Sequence, residues 1–486
     1  MTRVRDAFLG ALGAGALGAG LMIMAFPALV RWFLRRALKP VLSGKVKQNA
    51  FYETLTYLRN TDPAMVLGIM RRAETGKPFS RPYGTTRRFD SFDELMFIPA
   101  QLGRLPASDA KSADTRVTIG PRAQRPLQLQ TPILVSGVAT GLALSLEAKV
   151  AIARGASAAG TATNSGEGGY WPEERRAARH YVLQVNRGGW VRPEEMQRAD
   201  MLEIQFGQAA DIAAAKTVKG SHVSARMRQI LGIGQTGQRT IHTRFDRVRR
   251  PADLRHWVAE LRDLTGGVPI ALKFAAGDIE ADLEFAMESQ PDCIVIDGAE
   301  GATHSSLEVT IQDCGLPLLY AIPRADAYLR RHGAREAVTL IAAGGLRYSG
   351  DFLKAMALGA DAVYSATSIW TAMIQDQLIH ALPYLAPPLQ LFFHEGKLTR
   401  YFDLAKGAKH VANFIRASTA EMATVAQALG HTALDQVDKD DLYALSREVA
   451  EATGVRLAYA SALEPIGPDV PRPRPEMAEN HEPRLH

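Results

Sequence analysis

At 486 residues, 47% hydrophobic and 22% charged, the chain can bury one large core or two smaller ones. Its two cysteines, Cys293 and Cys314, show no CxxC or ligand spacing, which excludes a disulfide framework, a zinc site and a cysteine-ligated iron–sulfur cluster; no metal is expected. The net charge of +6 sits in no recognisable nucleic-acid module and gathers near the N-terminus, so it points to a membrane surface and away from nucleic acid.

Residues 7–30 carry no charge, and a helix of about 20 residues is enough to cross a bilayer. Arg31, Arg35, Arg36 and Lys39 follow at once and outweigh Arg3 and Arg5. The positive-inside rule then predicts a single-pass membrane protein with a cytoplasmic catalytic domain. A cleaved signal peptide is the alternative. The small residues of the run (GALGAGALGAG) suit close helix packing and a homo-oligomer. The expected organisation is a membrane anchor and basic juxtamembrane segment over 1–40 and a lead-in of helices and irregular chain over 41–130. A barrel over 131–385 and a helical extension over 386–464 follow, and a proline-rich disordered tail closes the chain over 465–486.

From residue 131 apolar runs alternate with helical stretches. The runs are ILVSG at 133–137, GTATN at 160–164, YVLQVN at 181–186 and MLEIQFG at 201–207, then PIALKFA at 269–275, CIVIDG at 293–298, LIAAGG at 340–345 and AVYSATS at 362–368. Eight nearly continuous apolar strands, as parallel strands covered on both faces require, predict an α/β fold of the (β/α)8 TIM barrel class. A doubly wound open sheet is the alternative. Ser145, with Glu147 in the first turn, is the expected N-cap of the helix after the first strand.

The strand ends favour the barrel, because a barrel gathers its active-site groups at the C-terminal ends of its strands. In order they supply Ser136 and Gly137, Asn164 and Glu167, Gln184 and Asn186, Gln205 and Gln208, Lys273, Asp297 with Gly298, Glu300 and Gly301, Gly344 and Gly345, then Ser365 and Ala366. Glu167 stands among three glycines, which let a ligand approach the backbone closely; a tight turn with a solvated glutamate is the plain alternative. The Gly344–Gly345 turn leads into a helix and has the makings of an anion nest for a phosphate. Lys273 is the one cation in this series. Buried against a flavin pyrimidine it would stabilise negative charge on the reduced ring; snorkelling from a strand end is the alternative.

TNSGEGG at 163–169, LEIQFGQ at 202–208, VKGSHV at 218–223, IDGAEGATHSS at 296–306 and AAGGLRYSGDF resemble the FMN-binding central domain of glutamate synthase and its stand-alone membrane-anchored relatives. The resemblance spans roughly residues 80 to 450 and includes the helical segment HVANFIRASTAEMATVAQALGHTALDQV. It implies FMN held by Ser136, Asn164, Gln184, Lys273, Asp297, Gly298, Gly301, Gly344, Gly345 and Ala366. Glu167 and Lys273 would be the catalytic pair, with Glu167 as acid/base or substrate-orienting carboxylate, and Gln205 and Gln208 would face the substrate. The implied reaction reduces the imine of 2-oxoglutarate and ammonia to glutamate.

The departures from that pattern are specific. No cysteine trio follows the last strand, and no glutaminase domain is expected before the barrel. Gln205 and Asp211 stand where the family motif carries lysines, which predicts the loss of charge-assisted contacts to a carboxylate, each worth about 1.5–3 kcal/mol. The expected protein is therefore an FMN-dependent oxidoreductase acting on an imine, amine or amino acid-like substrate. Its electrons come from a separate donor, or from NAD(P)H at the barrel mouth. A quinone-linked flavin dehydrogenase and a non-catalytic barrel scaffold at the membrane are the competing readings.

Overall fold

The computed structural model describes residues 28–36, 39, 53, 55–57, 59, 63–81, 84–108, 112–303, 306–381 and 388–459. Two compact units divide at Phe79/Ser80, inside the expected lead-in segment. In the first, the longest described element is the helix Pro63–Thr75. The expected anchor needs correction. Among the described residues no helix is long and apolar enough to cross a membrane, which overturns the single-pass membrane localisation. Residues 7–27 of the uncharged run, like the tail 465–486, lie outside the described residues.

The second unit holds eight parallel strands: β1 (Ile133–Val135), β2 (Ala162–Asn164), β3 (His180–Val185), β4 (Met201–Gln205), β5 (Ile270–Ala275), β6 (Cys293–Asp297), β7 (Thr339–Ala343) and β8 (Ala362–Ser365). All eight expected runs are present, most of them ending one to three residues earlier than expected, where the chain turns into its loop. Hydrogen-bonded neighbours run β1–β8–β7–β6–β5–β4–β3–β2, the order of a barrel. Ladders join seven neighbouring pairs. At the eighth, between β1 and β2, the Thr161 hydroxyl donates to the Ile133 carbonyl at 2.7 Å in place of a ladder.

Side chains on a strand alternate between its faces, so register decides what points inward. Leu134, Ala162, Val182, Met201, Ala271, Cys293, Val295, Ile341, Ala362 and Tyr364 form the barrel interior. It is closed at one end by Ile119, Leu127 and Leu129 of an antiparallel hairpin, Val117–Ile119 with Leu127–Leu129, that precedes β1. Their neighbours (Ile133, Leu183, Leu202, Ile204, Leu272, Ile294, Leu340) pack outward on the helices.

Helix α1 (Leu146–Ala159) starts at Ser145, whose hydroxyl accepts from the Ala148 N–H at 3.2 Å, and ends at Gly160 in the left-handed region. It lies under α2 (Leu404–Ala428), the 25-residue helix of the C-terminal extension. Gly155 permits the close crossing: a Cβ there would meet the Val411 Cβ at 2.6 Å.

Candidate active site

Because register faces Ala162, Val182, Met201, Ala271 and Val295 inward, it also faces Asn164, Gln184, Glu203, Gln205, Lys273 and Asp297 inward, one or two layers nearer the C-terminal rim. These side chains form a buried polar floor. Gln184 lies opposite Glu203 in register, and its amide donates to Glu203 Oε1 at 2.7 Å. Asn164 Nδ2 donates to the same oxygen at 3.0 Å and approaches the Tyr364 hydroxyl at 3.3 Å. Lys273 Nζ lies 3.2 Å from Asp297 Oδ2 and 5.8 Å from the centroid of the Tyr364 ring. Its side chain is 1% exposed, so it does not snorkel. Burial pulls the Lys273 ammonium down, but Asp297 and Glu203 outweigh that, and its pKa lies above the ordinary lysine value.

Above the floor opens a cleft of about 900 Å³. Of the residues expected at the site, Ser136, Glu167, Gln208, Lys273, Asp297, Gly301, Gly344, Gly345 and Ala366 line it. Asn164, Gln184 and Gln205 are brought to the same end but lie beneath its wall. Gly298 backs onto Gly344, where a Cβ would meet the Gly298 carbonyl at 2.8 Å. Glu300 also lines the cleft, and both carboxylate oxygens accept from the Leu318 N–H, at 3.2 and 3.0 Å. Burial pushes its carboxyl up to about 7.

The glycines around Glu167 serve a different purpose from the one expected. A Cβ on Gly166 would lie 2.6 Å from the Val138 carbonyl carbon, and one on Gly168 would lie 2.4 Å from the Thr140 oxygen. They let the loop rest on the chain's own backbone at 138–140. Asn164 Oδ1 accepts from Gly166 N at 2.9 Å, and the Glu167 carbonyl accepts from Asn186 Nδ2 at 3.2 Å and Trp190 Nε1 at 3.1 Å. The Glu167 side chain is 13% exposed and has a partner after all, Lys216 Nζ at 3.9 Å from Oε2. Lys216 also forms an ion pair with Asp211, which accepts from Gln208 Nε2 at 2.7 Å. The cation thought missing from this end is thus supplied from the hairpin Lys216–Lys219/Gln238–Ile241.

Sequence reading missed Glu203, Tyr364, Arg187 and Lys216. An acidic residue at an inward position of an otherwise apolar strand, two before Gln205, was the available signal for Glu203. Lys216 gave none, because its approach to Glu167 is a tertiary contact between the first strand of the hairpin and the loop after β2.

The floor fits a flavin. Gln184 Oε1, Glu203 Oε2, both amide atoms of Gln205 and the Ser365 hydroxyl are buried with no hydrogen-bond partner among the described residues. Buried polar groups are normally paired, and leaving one unpaired costs about 1–3 kcal/mol. A polar, planar ligand over the floor would satisfy them, while the left-handed Gly344 and Gly345 leave the end of β7 free of side chains for a phosphate.

The conserved region in glutamate synthase matches residues 84–432 of this chain. The chain belongs to the glutamate synthase family. A glutamate synthase large subunit-like protein of Rhizobium meliloti (strain 1021) is 32% identical over 81% of this chain and 93% of its own length. An archaeal-type glutamate synthase [NADPH] of Thermotoga sp. (strain RQ2) is 27% identical over 82% of this chain and 83% of its own. Among solved structures, a flavocytochrome b2 variant with sulfite bound aligns with a TM-score of 0.47 at 15% identity, covering 72% of this chain and 76% of that one. Family membership bears out the expected FMN-dependent oxidoreductase, with FMN as the cofactor.

Proposed function

We propose that the protein reduces or oxidises a C–N bond in an imine or amino acid-like substrate, drawing on a separate electron donor or acceptor. The observation that carries this reading is the placement of two opposite charges around one cleft: Lys273, buried in the floor and held charged, and Glu167 in the wall. FMN, when bound, supplies hydride chemistry at the substrate's C–N bond. Asn164, Gln184 and Lys273 would hold the ring from below, and Ser136 would bound it at β1. Asp297 would anchor Lys273, while Gly298, Gly301, Gly344, Gly345 and Ala366 would cradle the phosphate end. Lys273 would stabilise negative charge at the ring edge it faces. Glu167 would hold or donate the proton at the substrate nitrogen, and Gln208, with Gln205 below it, would orient the substrate.

A scaffold would have no use for a buried lysine balanced by two carboxylates. The quinone-linked reading rested on the membrane anchor and loses that support. The glutamate synthase names of the relatives favour 2-oxoglutarate with ammonia as the first pair to try, and the [NADPH] in the Thermotoga relative's name favours NADPH as the first donor. The test begins with the absorbance spectrum of the purified protein, followed by turnover assays with 2-oxoacids plus ammonia or methylamine. A flavin spectrum and release of FMN on denaturation are expected. A colourless protein that FMN does not reconstitute would overturn the reading.

A further inference from the structure

The mouth of the cleft holds a compact set of charges that the floor does not explain. Glu167 and Asp211 are its acids; Lys216 lies between them, and Arg187 stands behind, 5% exposed, interacting electrostatically with both carboxylates. Two acids against two bases leave the mouth close to neutral, so an arriving anion meets no net repulsion. Among the described residues Lys216 is the one cation within ion-pair distance of Glu167. Of the other cations of the wall, Lys273 is buried on Asp297 and Arg347 is held by Asp351 and Asp93, while Lys219 stands three residues further along the hairpin, exposed and outside ion-pair distance of Glu167.

Lys216 itself is half-committed. An ammonium has three protons. Asp211 is the hydrogen-bond acceptor that Lys216 meets among the described residues, and its side chain remains 28% exposed to the cleft. Asp211, 1% exposed, has its other carboxylate oxygen without a hydrogen-bond partner, and so does Glu167. The hairpin that carries Lys216 is seated firmly. Ile241 packs with Trp171, Trp190, Met227 and Leu231, and Gly220 brings the chain so close to Gly234 that a Cβ would lie 2.1 Å from its oxygen.

We propose that Lys216 reads a carboxylate of the substrate beside Glu167, with Asp211 as the residue that positions it. The substrate class is thereby an α-amino or α-imino acid, its carboxylate on Lys216 and its nitrogen toward Glu167. This rests on the cleft being the C–N site proposed above. It replaces the cation that Gln205 and Asp211 remove from the family motif by one reached through a different element.

The test uses the full chain and two variants, Lys216→Met and Lys216→Arg. Glutarate and its dimethyl ester are titrated by calorimetry with and without FMN, and FMN affinity is measured separately by fluorescence quenching. Lys216→Met should weaken glutarate about ten- to hundredfold, the worth of one charge-assisted contact, and leave the uncharged ester and FMN within about twofold. Lys216→Arg should restore part of the glutarate affinity. With a turned-over substrate, Lys216→Met should raise KM by more than it lowers kcat. Equal glutarate affinity in wild type and Lys216→Met, or no glutarate binding to wild type, overturns the proposal while FMN binding stands. Loss of glutarate, ester and FMN together in Lys216→Met assigns the residue a merely structural role and also overturns it. Glutarate binding that depends on Lys216 in a chain that binds no FMN would instead uphold the carboxylate reader and sink the flavin reading.

Discussion

The floor and the mouth of the cleft are built in different ways. Every charged or amide group of the floor sits on a barrel strand, at a position that strand register forces inward. The mouth is assembled from the loops after β2 and β3, the turn after β4 and a hairpin reached only after that turn, and its side chains range from the buried Asp211 to Lys216, 28% exposed. The floor is thus fixed by the same packing that makes the barrel, whereas the mouth rests on loops and a hairpin outside it. On the proposed reading, cofactor chemistry and substrate choice rest on separate elements and should be separable by mutation.

The sharpest break of that comparison is Glu167→Gln, which alters the mouth alone. Turnover should fall about 10²–10⁴-fold, the usual worth of a positioned acid or base, while FMN stays bound. Unchanged turnover would remove Glu167 from the mechanism.

Lys149→Met attacks what supports both regions. Lys149 and Glu174 are fully buried and paired at 3.0 Å, and Lys149 also donates to the Asn164 carbonyl at 2.6 Å, at the joint between floor and loop. Breaking a buried pair from one side leaves the other charge stranded, so denaturant unfolding should show a loss of about 3–5 kcal/mol. A loss under about 1 kcal/mol would mean that Glu174 takes up a proton instead, in line with the upward push that burial gives its carboxyl.

Glu300 makes a pH test on the phosphate side. Its folded carboxyl lies near 7, above the ordinary value of 4.5, so the folded state holds the proton more tightly than the unfolded chain. The contribution to stability is fully present below about 4.5 and is lost as pH rises through 7. Glu300→Gln should therefore flatten the fall in stability of the FMN-free protein between pH 4.5 and 7, an effect of about 3 kcal/mol at most. An identical pH profile in the variant would refute the assignment. The smallest expected effect is that of Ser145→Ala, which removes the cap of α1 beneath both regions and should lower stability by about 1 kcal/mol without touching FMN affinity.

The barrel was legible because parallel strands covered on both faces must be apolar, and eight such runs leave few alternatives. Their ends were read too long, because Gly-rich turns such as Gly344–Gly345 continue the apolar composition after pairing has stopped. The strand ends also foretold which residues gather at the cleft, Lys273 most clearly. Glu203 went unread since a lone acid in an apolar run gives no sign of which amides it meets across the barrel. The glycines flanking Glu167 were read as room for a ligand, and they are room for the backbone of residues 138–140. Neither fact is local, and no spacing rule contains it.

The border between β1 and β2 has no ladder where every other border has one, and this gives the barrel a seam. A cylinder with one stitched edge opens there first, and backbone amides along that edge should exchange with heavy water ahead of those in the other strands. The loop bearing Glu167 hangs directly from the margin of that seam. Faster exchange along β1 and β2 than along the other strands would place the most readily opened border of the barrel beside Glu167.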